Sequence, residues 1–158
     1  MIAYPDMSFL CAMYRQQENS GCAAQHFANM PEPLYVASPL LFEFRQATRW
    51  QAYLHSHYPA KGFDRATAVA AMGKLQSNIS TGAVVIVPVE WPDVVSIGER
   101  LSAQYTWSEG YRSFDVLHVS TALHLGAKEF LTFDAKKTTR RGRRARCATM
   151  TTMAFGGD

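Results

Sequence analysis

Long apolar runs are missing from this chain. Nothing in it approaches the ~18 uninterrupted apolar residues that a membrane-spanning helix needs, so no such helix is expected. Cysteine is scarce: Cys11, Cys22 and Cys147 are too few, and odd in number, for a disulfide framework. Free thiols in a reducing cytoplasm are the expected state. The opening MIAYPDMSF has a proline and an aspartate by position 6 and no basic lead-in, unlike a secretory signal. No Cys-x-x-Cys or His-x-x-x-His pair occurs, which removes the usual zinc spacings. A Gly-rich phosphate loop and a Ser nucleophile elbow are absent as well. Leu, Ile and Val are missing altogether from the last 23 residues.

What remains is a 158-residue chain, 47% apolar and 18% charged, which suits one globular domain with a real core. Its net charge of +3 hides an asymmetry. Residues 1–135 carry nine Lys/Arg against twelve Asp/Glu, whereas residues 136–158 carry seven Lys/Arg against Asp158 alone. The expected organisation is a mildly acidic domain over 1–135 and a basic tail over 136–158. The tail has no aliphatic residue for a buried strand, so a disordered or loosely helical arm is expected there. Such an arm could grip nucleic-acid phosphates or simply stay solvated.

Strand and helix patterns alternate along the body. Met1–Tyr4, Leu34–Ala37, Val84–Val89 and Glu129–Phe133 read as strands, with Pro88 marking an edge or an end. Between them lie helical stretches over 9–17, 22–30, 39–58, 65–80, 91–105 and 114–125. Ser38 and Ser113 read as N-caps with Pro39 at a first helical position, Asp64 as a third cap, and Gly126 as a C-terminal stop. The expected fold is therefore α/β, a three-layer sandwich with a mostly parallel central sheet flanked by helices.

Acidic residues fall where that architecture would bring them together. Asp6 and Asp134 close strands at their C-terminal ends, where open parallel sheets form ligand sites. Asp115 lies in the first turn of one helix, and Glu43 near the start of another that follows directly from a strand. Each has a bland alternative: a strand terminator for Asp6, a turn residue for Asp134, a helix-dipole partner for Asp115, a solvated face for Glu43. Taken together, four carboxylates on one sheet edge repel each other unless a cation neutralises them. An all-oxygen set favours Mg²⁺ or Mn²⁺. The chemistry that follows is phosphodiester hydrolysis by a metal-activated water.

Asp6-x-Ser8 after the first strand, the helical Glu43, and the run RSFDVLHVSTALHLGAKEFLTFD ending at Asp134 resemble the PIN domain, most of all the VapC-type toxins of toxin–antitoxin pairs. The resemblance covers roughly residues 1–135 and is most specific over 112–134. It implies that Asp6, Glu43, Asp115 and Asp134 form the acidic catalytic set, with Asp6, Asp115 and Asp134 on the metal. Ser8 and Thr132 would hydrogen-bond to that cluster and orient it. The implied protein is a Mg²⁺- or Mn²⁺-dependent endoribonuclease that takes an RNA substrate, forms a homodimer and is silenced by a cognate antitoxin. A groove of the helices over 8–30 would receive that partner. The tail departs from the family pattern, which continues with a further helix and a short aliphatic strand.

Other residues have two readings. His118, three residues after Asp115, can face the site as a substrate contact or pack as a satisfied helix histidine. Arg49 is a candidate phosphate contact. Trp50 can stack a base, although a buried Trp is the commoner outcome. The rival functions are a catalytically inactive PIN-like module that binds RNA or protein, and a phosphoaspartate receiver. The receiver chemistry needs an acidic pair and a strand-end Lys that this chain does not offer.

Overall fold

The computed structural model describes residues 3–134 and the backbone of 148–151. Strand β1 (Ala3–Pro5) stops where Asp6, in extended conformation, turns the chain into helix α1 (Met7–Tyr14). The Asp6 carboxylate accepts the N–H groups of Ser8 and Phe9, two of the donors that a helix start leaves unpaired. Helix α2 (Ser20–Ala28), strand β2 (Leu34–Val36), helix α3 (Ser38–His57), helix α4 (Arg65–Ser80) and strand β3 (Val84–Ile86) follow. Helix α5 (Trp91–Leu101) runs through a π-helical segment (Ser102–Thr106) into the one-turn α6 (Trp107–Glu109). Helix α7 (Ser113–His124), strand β4 (Glu129–Thr132) and strand β5 (Ala148–Thr151) complete the described elements.

The parallel pairing is as expected, but the sheet comes in two pieces. β1 pairs with β4 in register Tyr4↔Phe130, and β2 with β3 in register Tyr35↔Val85, both parallel. β1 runs beside β2 without a ladder joining them. Parallel pairs require crossovers, and the helices supply them: α3 and α4 between β2 and β3, and everything from α1 to α7 between β1 and β4. Asp6 N–H donates to the Leu131 carbonyl at 2.9 Å, carrying the β1–β4 pairing one residue past Pro5. β3 is an edge strand that ends before Pro88, which has no N–H to offer.

One expectation about the tail is overturned. Residues 148–151 form β5, antiparallel to β4 with Phe130 opposite Met150. An edge strand is held by backbone N–H and C=O groups, which Ala, Thr and Met carry as well as any aliphatic residue does, so the lack of Leu, Ile and Val did not forbid it. The remainder of the expected arm lies outside the described residues.

Two caps also differ. Ser38 and Ser113 are the first helical residues, and Ala37 and Arg112 occupy the N-cap positions with no side-chain cap bond. Asp64 does cap α4, accepting Thr67 N–H at 2.7 Å, and this bond holds its carboxyl below the usual range. Gly126, with φ 64°, ends α7 in the left-handed conformation that a C-terminal stop favours.

The core gathers Tyr4, Phe9, Leu10, Leu34, Val36, Leu40, Phe44 and Leu75. Tyr14 meets Phe44 edge-on at 5.7 Å, fixing α1 against α3. Helix α1 spends its apolar residues on this core, so of the helices over 8–30 only α2 stays mostly outside it. On α3 the buried residues are Leu40, Leu41, Phe44 and Thr48. The Thr48 hydroxyl has no hydrogen-bond partner among the described residues, although the residue is fully buried. Thr48→Val removes that unpaired hydroxyl at nearly equal volume. It is expected to raise unfolding stability by about 1 kcal/mol in a denaturant titration; a loss would show that the hydroxyl is bonded.

Candidate active site

The end of β4 meets the start of α1 through Asp6, which is fully buried. Its Oδ1 accepts Ser8 N–H at 2.9 Å, the Ser8 hydroxyl at 2.6 Å and Phe9 N–H at 3.1 Å. Its Oδ2 accepts the Thr132 hydroxyl at 2.7 Å. The two hydroxyls then accept in turn: Ser8 Oγ from Phe133 N–H at 2.8 Å, and Thr132 Oγ1 from Asp134 N–H at 3.0 Å. Each hydroxyl has one proton, already given to Asp6, so the 3.3 Å approach of Ser8 Oγ to Thr132 Oγ1 is a contact between acceptors. The chain Asp6–Thr132–Asp134 thereby sets the backbone at Asp134 from a buried carboxylate.

Above this network lies a cleft of about 490 Å³, lined by Glu43, Asp115 and Asp134 together with Tyr111, Arg112 and Phe114. Three of the four expected carboxylates therefore share one cavity, and Asp6 lies under it rather than on its wall. Gly110, with φ 67°, turns the chain after α6 so that Tyr111 and Arg112 reach the rim. Asp115 Oδ2 also accepts Arg112 N–H, long at 3.4 Å, as an acid in the first turn of α7 can. Sequence reading missed Tyr111, Arg112 and Phe114. Their signal was an aromatic–basic run placed between a Gly and the acidic helix start.

His118 is settled as a bonded core residue. It is only 2% exposed, and its Nε2 lies 2.6 Å from Glu43 Oε2. That nitrogen meets Glu43, and His118, read as a possible substrate contact, is not among the residues lining the cleft. Glu43 in turn is no solvated-face residue, since it is held by α7 across the cleft. Arg49, six residues on from Glu43 and so about 240° around the helix, is exposed and outside the cleft lining. Trp50 is 51% exposed, contrary to the commoner buried outcome. Two further groups are removed from the chemistry. Burial pushes the Cys11 thiol up despite the Arg15 guanidinium at 3.0 Å, so it is no nucleophile. Burial likewise holds the Tyr4 phenol far above its ordinary range, and the Glu43 charge adds to this.

The fold is similar to that of the Mycobacterium tuberculosis toxin VapC20, which cleaves the sarcin–ricin loop. The TM-score is 0.59 at 18% identity, over 84% of this chain and 90% of that one. FitAcB from Neisseria gonorrhoeae superposes with a TM-score of 0.50 at 14% identity, over 80% of this chain and 84% of that one. The chain has a PIN-like fold. No family model matches the sequence, and no curated protein matches it.

A PIN-like cleft lined by carboxylates presents only hard oxygen donors, which suit Mg²⁺ or Mn²⁺. Among the described residues no three Asp, Glu, His or Cys side chains converge closely enough to enclose a metal ion. Among the described residues, no helix is long and apolar enough to cross a membrane.

Proposed function

We propose that this PIN-like domain is a Mg²⁺- or Mn²⁺-dependent endoribonuclease, the toxin of a toxin–antitoxin pair. The observation that carries the reading is the meeting of Glu43, Asp115 and Asp134 in one cleft whose rim bears Arg112, Tyr111 and Phe114. A divalent ion held by Asp115 and Asp134, with Asp6 below, would supply the charge that polarises a phosphoryl oxygen and acidifies a water molecule. Arg112 would pair with a substrate phosphate, and Tyr111 and Phe114 offer ring faces to bases. Glu43, steadied by His118, would order the attacking water on the opposite wall. Ser8 and Thr132 fix Asp6, and through it the turn that carries Asp134. The VapC20 fold and its cleavage of the sarcin–ricin loop support the reading. A cognate antitoxin and a homodimer complete it as expected partners.

The test is cleavage of a structured RNA with and without chelator. EDTA is expected to abolish cleavage, and Mn²⁺ in excess to restore it. Cleavage unaffected by EDTA would sink the metal-dependent mechanism. The open spacing of the carboxylates favours one alternative, an inactive PIN-like binding module. RNA binding with no calorimetric Mn²⁺ binding would select it.

A further inference from the structure

One side-chain bond ties α3 to α7 across the cleft. The Glu43 side chain is 26% exposed, and that of His118 is 2% exposed. At 2.6 Å, Nε2 and Oε2 are too close for two facing lone pairs, so a proton lies between them. An imidazole nitrogen is a stronger base than a carboxylate oxygen, which puts that proton on Nε2 and makes His118 the donor. Phe114, one turn earlier on α7, packs on the imidazole with 6.0 Å between ring centroids. Phe114 lines the cleft, and His118 does not. The ring is therefore sealed away from an ion in the cleft and acts there only through Glu43. The bond takes one carboxylate oxygen out of use. Oε2 is given to His118, and Oε1 has no hydrogen-bond partner among the described residues. Asp115 and Asp134 line the same cavity, yet among the described residues no three Asp, Glu, His or Cys side chains converge to hold an ion. A third carboxylate would raise the affinity for a divalent cation, because affinity follows the number of charged ligands. Glu43 is fastened elsewhere.

We propose that His118 is a positioning residue that keeps Glu43 off the divalent ion, leaving the ion to Asp115 and Asp134 and the Oε1 of Glu43 to the attacking water. The bond gives up affinity for the ion. In return it preserves a carboxylate oxygen that can accept a proton, which a carboxylate bound to a cation does poorly because the cation draws off its basicity. The inference rests on the nuclease reading for the place of the ion. Its first readout is affinity, so either can fail alone.

The experiment is calorimetric titration of Mn²⁺ into the full chain, paired with steady-state RNA cleavage. His118→Asn is too short to reach Glu43, whereas His118→Gln returns an N–H donor near the place of Nε2. With Glu43 released to the ion, His118→Asn is expected to tighten Mn²⁺ binding about tenfold. The same variant is expected to lower kcat about 100-fold with KM little changed. His118→Gln is expected to keep both affinity and kcat near wild type. In a Glu43→Gln chain, His118→Asn should leave Mn²⁺ affinity unchanged, which separates release of Glu43 from loss of the imidazole itself. A histidine that only supports the fold would not tighten Mn²⁺ when removed. Because His118 is buried, thermal unfolding is followed for every variant, and His118→Leu serves as a second donorless variant with the same expectations. Unchanged or weaker Mn²⁺ binding in a folded donorless variant overturns the inference, as does tightening that persists in the Glu43→Gln chain. A wild-type chain that binds no Mn²⁺ overturns it too. The expected affinities in a chain that cleaves no RNA would overturn the nuclease reading alone.

Discussion

Asp115→Asn is expected to lower RNA cleavage at least about 100-fold, the scale of losing one preorganised electrostatic contact at a reacting phosphate. The substitution keeps the size of the side chain and removes its charge, so the loss reports on the ion rather than on packing. Two small effects on stability oppose each other. Neutralising an acid in the first turn of α7 loses about 0.3–1 kcal/mol of interaction with the helix dipole. Relief of repulsion from Glu43 and Asp134 across the same cleft offsets it. The unfolding midpoint should therefore move little while cleavage and calorimetric Mn²⁺ binding disappear together. Retained cleavage in this variant would remove Asp115 from the chemistry, and a large fall in stability would make it a structural residue instead.

Asp6→Ala is expected to act mainly on stability. It leaves two backbone N–H groups of α1 and the hydroxyls of Ser8 and Thr132 without their acceptor, all at a fully buried position. At about 1–3 kcal/mol for each orphaned buried donor, and with the hydroxyls able to turn elsewhere, the cost is about 3–5 kcal/mol. In a domain of this size that lowers the melting temperature by about 10 °C. Asp6→Asn should cost less, because Nδ2 can donate to Thr132 Oγ1 while Oδ1 keeps the helix cap. A melting curve for each variant checks this. A fall of under ~1 kcal/mol for Asp6→Ala would show that water enters and satisfies the abandoned donors. If Asp6→Asn instead keeps its fold but loses Mn²⁺ binding, Asp6 contributes its charge to the ion as well as its hydrogen bonds to the frame.

Much of the architecture was legible because it follows from local pattern. The β-branched run at Val84 and the Pro88 that ends it give an edge strand without reference to anything distant. Asp64 and Gly126 act as cap and stop through bonds within four residues of themselves. The serine caps failed for a local reason as well: Ala37 and Arg112 already hold the extended conformation that begins each helix, so Ser38 and Ser113 fall inside it. Strand β5 was hidden because edge pairing is a property of backbone groups, which composition does not record. Trp50 was misjudged because exposure depends on how far the rest of the fold covers that face of α3, and it leaves Trp50 half exposed.

The candidate site divides along the same line. Sequence by itself determined that Asp6 follows a strand, that Asp115 opens a helix and that Asp134 follows a strand, since each depends on neighbours a few residues away; that Asp6 also caps α1 came from the structure. Only the tertiary structure decided that Glu43, Asp115 and Asp134 face one cleft while Asp6 is sealed beneath it, and that His118 is committed to Glu43. Those outcomes depend on β1 pairing with β4 and on where α3 and α7 sit around that pair. Contacts between segments so far apart in the chain are set by the joint packing of the core, and no local run of residues encodes them.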